Sequence, residues 1–268
     1  YNLTSNTPLI TFNHDNPSVI QLGGIHNIYL FGGGNNGTGL YMNNHAGLCK
    51  INGLTISGFP LALHLKGALV GQFDHCIFVG ATTTGVGVLA EADTSDNTYA
   101  NVWTFKNCEF YSCFGWSVKW LGGQQAIFEG CTWEVNGTPD VADSGCVYHE
   151  RGENIGGYWH GITLRNCYYE ANRGTILHFK GYNNQTIKHT IDTTTFFNNN
   201  SSGGLTLKVE SGDTNRINEV VLMNSALVQE TASIELVGDN AKIVNINSYV
   251  EGTITGTGYY TVTPTLVQ

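Results

Sequence analysis

The stretches "FKNCEF" (Phe105–Phe110) and "FEGCTW" (Phe128–Trp133) are two copies of one unit: aromatic, charge, Asn or Gly, cysteine, polar, aromatic. The template, in looser form, recurs as "IHNIYL" from Ile25, "INGLTI" from Ile51, "FDHCIF" from Phe73, "LRNCYY" from Leu164, "IDTTTF" from Ile191 and "LMNSAL" from Leu222. A blurred ninth copy, "NINSYV", starts at Asn245. Successive copies among the first eight begin 22 to 36 residues apart. Irregular repeats of this length mark a solenoid whose coils share a core and differ in their loops.

The parity within each copy gives its shape. Positions 4 and 6 alternate as a strand does and face one way, while position 1 is out of phase with them. A bend at positions 2 and 3 restores the phase. Position 3 reads Asn27, Gly53, His75, Asn107, Gly130, Asn166, Thr193, Asn224, mostly the residues that enter the left-handed region at least cost. Each copy is therefore strand, corner, strand. A separate set of short alternating segments ("LHLKG" at Leu63, "VKWLGG" at Val118, "LHFKG" at Leu177, "LTLKV" at Leu205, "IELVG" at Ile234) supplies a further strand per coil. Three short strands per coil describe a parallel β-helix with coils ~4.8 Å apart. The inward column at position 4 runs Ile28, Leu54, Cys76, Cys108, Cys131, Cys167, Thr194, Ser225. At position 6 it runs Leu30, Ile56, Phe78, Phe110, Trp133, Tyr169, Phe196, Leu227.

Composition agrees. The chain has 34 Gly and only 12% charged residues, a bias against long helices and towards strands joined by turns. A net charge of −9 argues against a nucleic-acid partner, which needs clustered Lys and Arg. No apolar run is long enough to span a membrane. The seven cysteines are odd in number and contain no CxxC pair, so they suit buried free thiols better than disulfides or zinc. No P-loop, dinucleotide fingerprint or metal motif is present, so no cofactor is expected. The opening "YNLTSNTP" reads as part of a longer protein.

The cysteine and aromatic columns and the Asn/Gly corners resemble those of the pectin-lyase-like right-handed parallel β-helices. The Gly/Asn/Thr-rich, acidic, free-thiol composition is similar, within that group, to the central domain of bacteriophage tailspikes and capsular polysaccharide depolymerases. The resemblance covers about residues 20 to 250. It implies an all-β, right-handed, single-stranded parallel β-helix of about 8–10 coils over residues 1–250, with 251–268 as a C-terminal β extension, cap or oligomer contact. It also implies a homotrimer that binds, and often cleaves, bacterial surface polysaccharide. Such a protein is assembled in the host cytoplasm and carried in the virion tail, or is otherwise extracellular.

Stacking converts sequence offsets into proximity. Position 7, one step past the inward aromatic, faces out and reads Tyr111, Glu134, Glu170, Phe197. Glu134 and Glu170 then sit on adjacent coils, the arrangement a glycosidase needs for an acid and a base or nucleophile. Tyr111 and Tyr168 offer faces to sugar rings. Two long insertions lie beside the pair. "EVNGTPDVADSG" (134–145) supplies Asp143, and "ERGENIGGYWHG" (150–161) supplies Glu150, Arg151, Tyr158, Trp159 and His160. Long loops on a rigid scaffold commonly carry function. We take Glu134 and Glu170 as catalytic candidates, Asp143 and Glu150 as reserves, and Tyr111, Tyr168, Arg151, Tyr158, Trp159 and His160 as substrate-binding candidates. The competing reading is solvated glutamates and loops packed between subunits.

Two further constellations stand out. His64, Lys119, His149 and His178 are expected to align on the outer face of the separate strand set, where a base beside a uronic acid supports β-elimination. Glu91, Asp93 and Asp96 are a weak Ca²⁺ candidate without coordination spacing. At position 2, Asp74, Lys106, Glu129, Arg165 and Asp192 alternate in sign from coil to coil, a pattern that opposes register slips. The functional expectations are therefore a tailspike glycoside hydrolase, a polysaccharide lyase, or a non-enzymatic glycan-binding fibre or adhesin module.

Overall fold

A computed structural model describes residues 7–13, 23–33, 37–44, 49–80, 85–93, 100–139, 141, 143–150, 160–181, 186–200, 204–212, 216–228 and 233–263. Among them every regular element is a strand. The strands form three parallel sheets of ten, ten and nine strands (here A, B and C), each visited once per turn of the chain. This is a right-handed parallel β-helix with three strands per coil. One coil runs Trp103–Lys106 in sheet B, Glu109–Tyr111 in sheet C and Trp116–Leu121 in sheet A. The next runs Ala126–Glu129, Thr132–Glu134 and Gly145–Glu150. Strands Thr253–Gly256 and Tyr259–Thr263 add a last rung to sheets A and B with mostly exposed residues. No helix of the described residues is long and apolar enough to cross a membrane.

The sequence template maps onto the corner between sheets B and C. At position 3, Asn27, His75, Asn107, Asn166, Thr193, Asn224 and Asn247 have φ of 47–53°, and Gly53 and Gly130 have 66° and 63°. One left-handed residue turns the chain without breaking the coil-to-coil ladder, and Asn and Gly adopt that conformation most cheaply. Lys106 faces Asp74 on one side and Glu129 on the other, and Arg165 lies between Glu129 and Asp192. The sign alternation is thus real in register. Arg165 and Asp192 approach to 3.8 Å, and as an exposed pair contribute at most ~1 kcal/mol.

The core is stacked coil on coil. Phe78, Phe110, Trp133, Tyr169 and Phe196 form a column with successive ring centroids 5.2, 4.8, 4.5 and 4.6 Å apart and nearly parallel planes. Beyond burial, such contacts add about 0.5–1.5 kcal/mol each. Cys76, Cys108, Cys131 and Cys167 stand beside them as free, buried thiols. Each reaches a backbone carbonyl two residues back, of Asp74, Lys106, Glu129 and Arg165. Ile28 departs from the inward expectation and is 39% exposed. Its coil contributes the edge strand of sheet C, Tyr29–Phe31, and no earlier strand of that sheet covers it among the described residues.

A second corner, between sheets C and A, was not foreseen. Ser112, Val135, Ala171 and Asn198 have φ of 53°, 56°, 54° and 49°. The residue that follows each turns inward. Three of these are Asn136, Asn172 and Asn199, all buried, and they form a ladder. The Asn172 side-chain NH₂ donates to the Trp133 carbonyl at 2.8 Å and to Asn199 Oδ1 at 2.8 Å. Its own Oδ1 accepts from the Asn136 backbone N–H at 3.0 Å and the Asn136 amide at 2.9 Å. Buried amides at a tight corner are costly unless fully paired, and here each rung satisfies the next. The ladder fixes the end of every neighbouring sheet C strand.

Candidate functional site

The outer face of sheet C carries the predicted pair. Tyr111 opposes Glu134, Glu134 opposes Glu170, and Glu170 opposes Phe197. Parallel pairing sets the two glutamate Cα atoms ~4.8 Å apart. Both glutamates are half-buried, whereas Tyr111 and Phe197 are 39% and 47% exposed. Each glutamate is the last residue of its strand and is followed by the left-handed corner and a ladder asparagine. Their backbones are therefore held by the Asn136–Asn172 hydrogen bonds. Tyr168 lies on the same face two residues before Glu170. Its pKa is raised by desolvation, by a hydrogen bond with Glu170, and by the charges of Glu170 and Glu134. The phenol stays protonated and is the available donor beside the pair.

Asp143 and Glu150 do not join this pair. They belong to the outer face of sheet A. Asp143 accepts a hydrogen bond from Trp116 Nε1 at 2.9 Å. Glu150 accepts from the Tyr148 hydroxyl at 2.5 Å and from Lys180 Nζ at 2.7 Å. Burial alone would raise the Glu150 pKa, but Lys180 and Tyr148 outweigh it and hold the carboxyl below its ordinary value. The Tyr148 hydroxyl is pushed up by desolvation and by Glu150. His178 is lowered by burial, partly opposed by Glu210 at 3.2 Å.

The expected alignment of four bases on sheet A needs correction at one position. The outward column runs His64, Leu89, Lys119, Tyr148, His178. His149 is one residue out of step, pairs with Trp120 and Phe179, and is buried in the core. Tyr148 takes its place, with Lys119 Nζ 5.4 Å from its ring centroid. The insertion before Gly145–Glu150 shifts the parity that the sequence alignment assumed.

Of the loop candidates, Arg151, Tyr158 and Trp159 lie outside the described residues, as does Asp96. His160 opens the strand His160–Arg165, and its backbone pairs with Lys188. Glu91 is bonded to His64 at 2.9 Å, and Asp93 lies 3.7 Å from Lys66. No cluster of three potential metal ligands occurs among the described residues. A groove of about 470 Å³ lies on sheet B, lined in part by Thr163, Lys188, Thr190 and Glu219. It contains none of the predicted residues. The sheet C site is an open face flanked by aromatic rings.

Sequence reasoning missed Asn136, Asn172 and Asn199 as the supports of the pair. The signal was present as Glu-x-Asn at 134–136 and again at 170–172. Comparison with family models, curated proteins and solved structures finds no match. The functional reading therefore rests on the geometry of this chain.

Proposed function

We propose that this chain is the central β-helix of a homotrimeric bacteriophage tailspike that binds and hydrolyses bacterial surface polysaccharide, capsule or O-antigen, on the outer face of sheet C. The observation that carries the reading is the Tyr111–Glu134–Glu170–Phe197 column, two carboxylates in register with an aromatic side chain on the coil beyond each. In this reading one glutamate protonates the glycosidic oxygen as the bond breaks. The other attacks the anomeric carbon or activates water. The Tyr168 hydroxyl orients Glu170 for the second role. Tyr111 and Phe197 hold the flanking sugars by stacking.

A lyase is the second reading, favoured by one observation on sheet A. Burial disfavours protonation of His178, leaving an imidazole suited to abstract a proton, and Lys119 lies two strands away in the same outward column. Incubation with purified capsule or O-antigen separates the readings. New reducing ends without ultraviolet absorbance identify hydrolysis, and unsaturated ends identify elimination. Binding with no change in polymer length identifies a receptor-binding fibre or adhesin module. Sedimentation as a monomer would count against the tailspike assignment.

A further inference from the structure

The three sheets differ sharply in charge. The nine strands of sheet C contain no lysine, arginine or histidine. Their charged residues are Glu109, Glu134 and Glu170, all directed outward. Sheet A, by contrast, carries both signs on its outer face, Lys66, Lys119, Lys180 and Lys208 beside Glu91, Glu150, Glu210 and Glu235. The basic residues nearest the glutamates in sequence lie around the corners. Lys106 and Arg165 end strands of sheet B, where Arg165 is drawn to Asp192, and Arg173 lies past the second corner.

From this asymmetry, and resting on the site reading above, we infer that the glycan taken by sheet C is built of neutral or amino sugars, not uronic acids or sialic acids, and that it runs along the helix axis. An anionic repeat laid across three glutamates meets like charge at each rung with no compensating cation on the sheet C strands themselves, and such juxtaposition is a means of rejecting the wrong ligand. The axial direction follows from the aromatics. Tyr111 and Phe197 are three rungs apart in one column, ~14 Å at the spacing of parallel strands, with the two carboxylates between them. An oligosaccharide lying along the column places a ring on each aromatic and the cleaved bond between Glu134 and Glu170. A protonated amino sugar gains from the same field that excludes an acid.

The test is a glycan panel holding neutral, amino-sugar, uronic-acid and sialic-acid bacterial polysaccharides, with each acidic member also present in its carboxyl-reduced form. Wild type, Tyr111→Ala, Phe197→Ala and Glu109→Gln are compared at low and high salt. The expected result is binding to neutral or amino-sugar members, weakened about 10-fold by either aromatic substitution. Any acidic member should bind ~10-fold more tightly after carboxyl reduction, with the difference shrinking in salt and in Glu109→Gln. Tight binding of an acidic member that both aromatic variants lose overturns the inference on charge and leaves the site in place. Binding of any member that neither aromatic variant changes, or binding of nothing on the panel, removes the site reading and this inference with it.

Discussion

Glu134 and Glu170 are register partners at the ends of adjacent sheet C strands, and the residue two positions beyond each, Asn136 and Asn172, joins the same two coils by side-chain hydrogen bonds. The glutamate pair and its support thus repeat together. The ladder holds the two backbones from which the carboxylates extend one rung apart along the helix axis, which is the direction in which an acid and a base must be spaced.

That spacing predicts stereochemistry. Strand pairing sets the two Cα atoms ~4.8 Å apart, and side chains that extend in parallel from them keep the ~5–5.5 Å carboxyl separation of retaining glycosidases rather than the wider inverting arrangement. Proton NMR of the first-formed product should show the anomeric configuration of the substrate. An inverted first product would show that a more distant carboxylate is involved.

The ladder predicts a stability difference between two kinds of asparagine. Asn172→Ala leaves the Asn136 amide groups and the Trp133 carbonyl short of partners in a buried corner. Unsatisfied buried groups cost ~1–3 kcal/mol each, so the loss in a urea titration should be ~3 kcal/mol or more. Asn166 sits at a left-handed corner and is exposed. Asn166→Gly should change stability by under about 1 kcal/mol. Equal effects would mean that the ladder bonds are not what holds the corner.

Val135 is β-branched, has φ of 56° and is 37% exposed. The left-handed conformation costs such a residue ~1–2 kcal/mol, with little burial to offset it. Val135→Asn should therefore raise the urea midpoint, by about 1 kcal/mol of stability. A lower midpoint would show that the valine side chain contributes packing that outweighs its strain.

Acid sensitivity should begin with histidine. His189 is wholly buried, accepts the Ile162 N–H on Nδ1 at 3.1 Å, and packs on Phe179 and His149. Burial, then the His149 charge, lowers its pKa well below the ordinary value, and burial lowers His178 as well. The unfolded chain takes up these protons near pH ~6.5 while the native state does not. Stability is then fully present above that pH and declines below it by up to ~1.4 kcal/mol per unit for each such group. Glu91 and Glu150, held low by His64 and by Lys180 with Tyr148, add losses only below about pH 4.5. Urea titrations from pH 8 to 5 should show the first decline, and His189→Asn should make it shallower, leaving the part due to His178. A pH-independent midpoint in the wild type would contradict this account.

Much of the fold was legible because the core is a one-dimensional stack. Phe105 and Phe128, or Cys108 and Cys131, occupy equivalent positions, so a single alignment of short copies located the inward columns and the B–C corner. The second corner was harder to read because its left-handed residues are Ser112, Val135, Ala171 and Asn198. Three of these carry no sequence preference for that conformation, and only the asparagine beyond betrays the turn. Loop length then spoiled the parity at His149, where the insertion before Gly145 moved the strand by one residue. The glutamate pair was readable from period alone. The separation of Asp143 and Glu150 from it required knowing which sheet each loop returns to.

The most direct measurement is the size distribution of purified host capsule or O-antigen after incubation with the wild type, Glu134→Gln and Glu170→Gln at equal concentration. The account predicts oligosaccharide release by the wild type and a loss of at least ~100-fold in each variant, with the fold retained by circular dichroism. Undiminished release by both variants would contradict it.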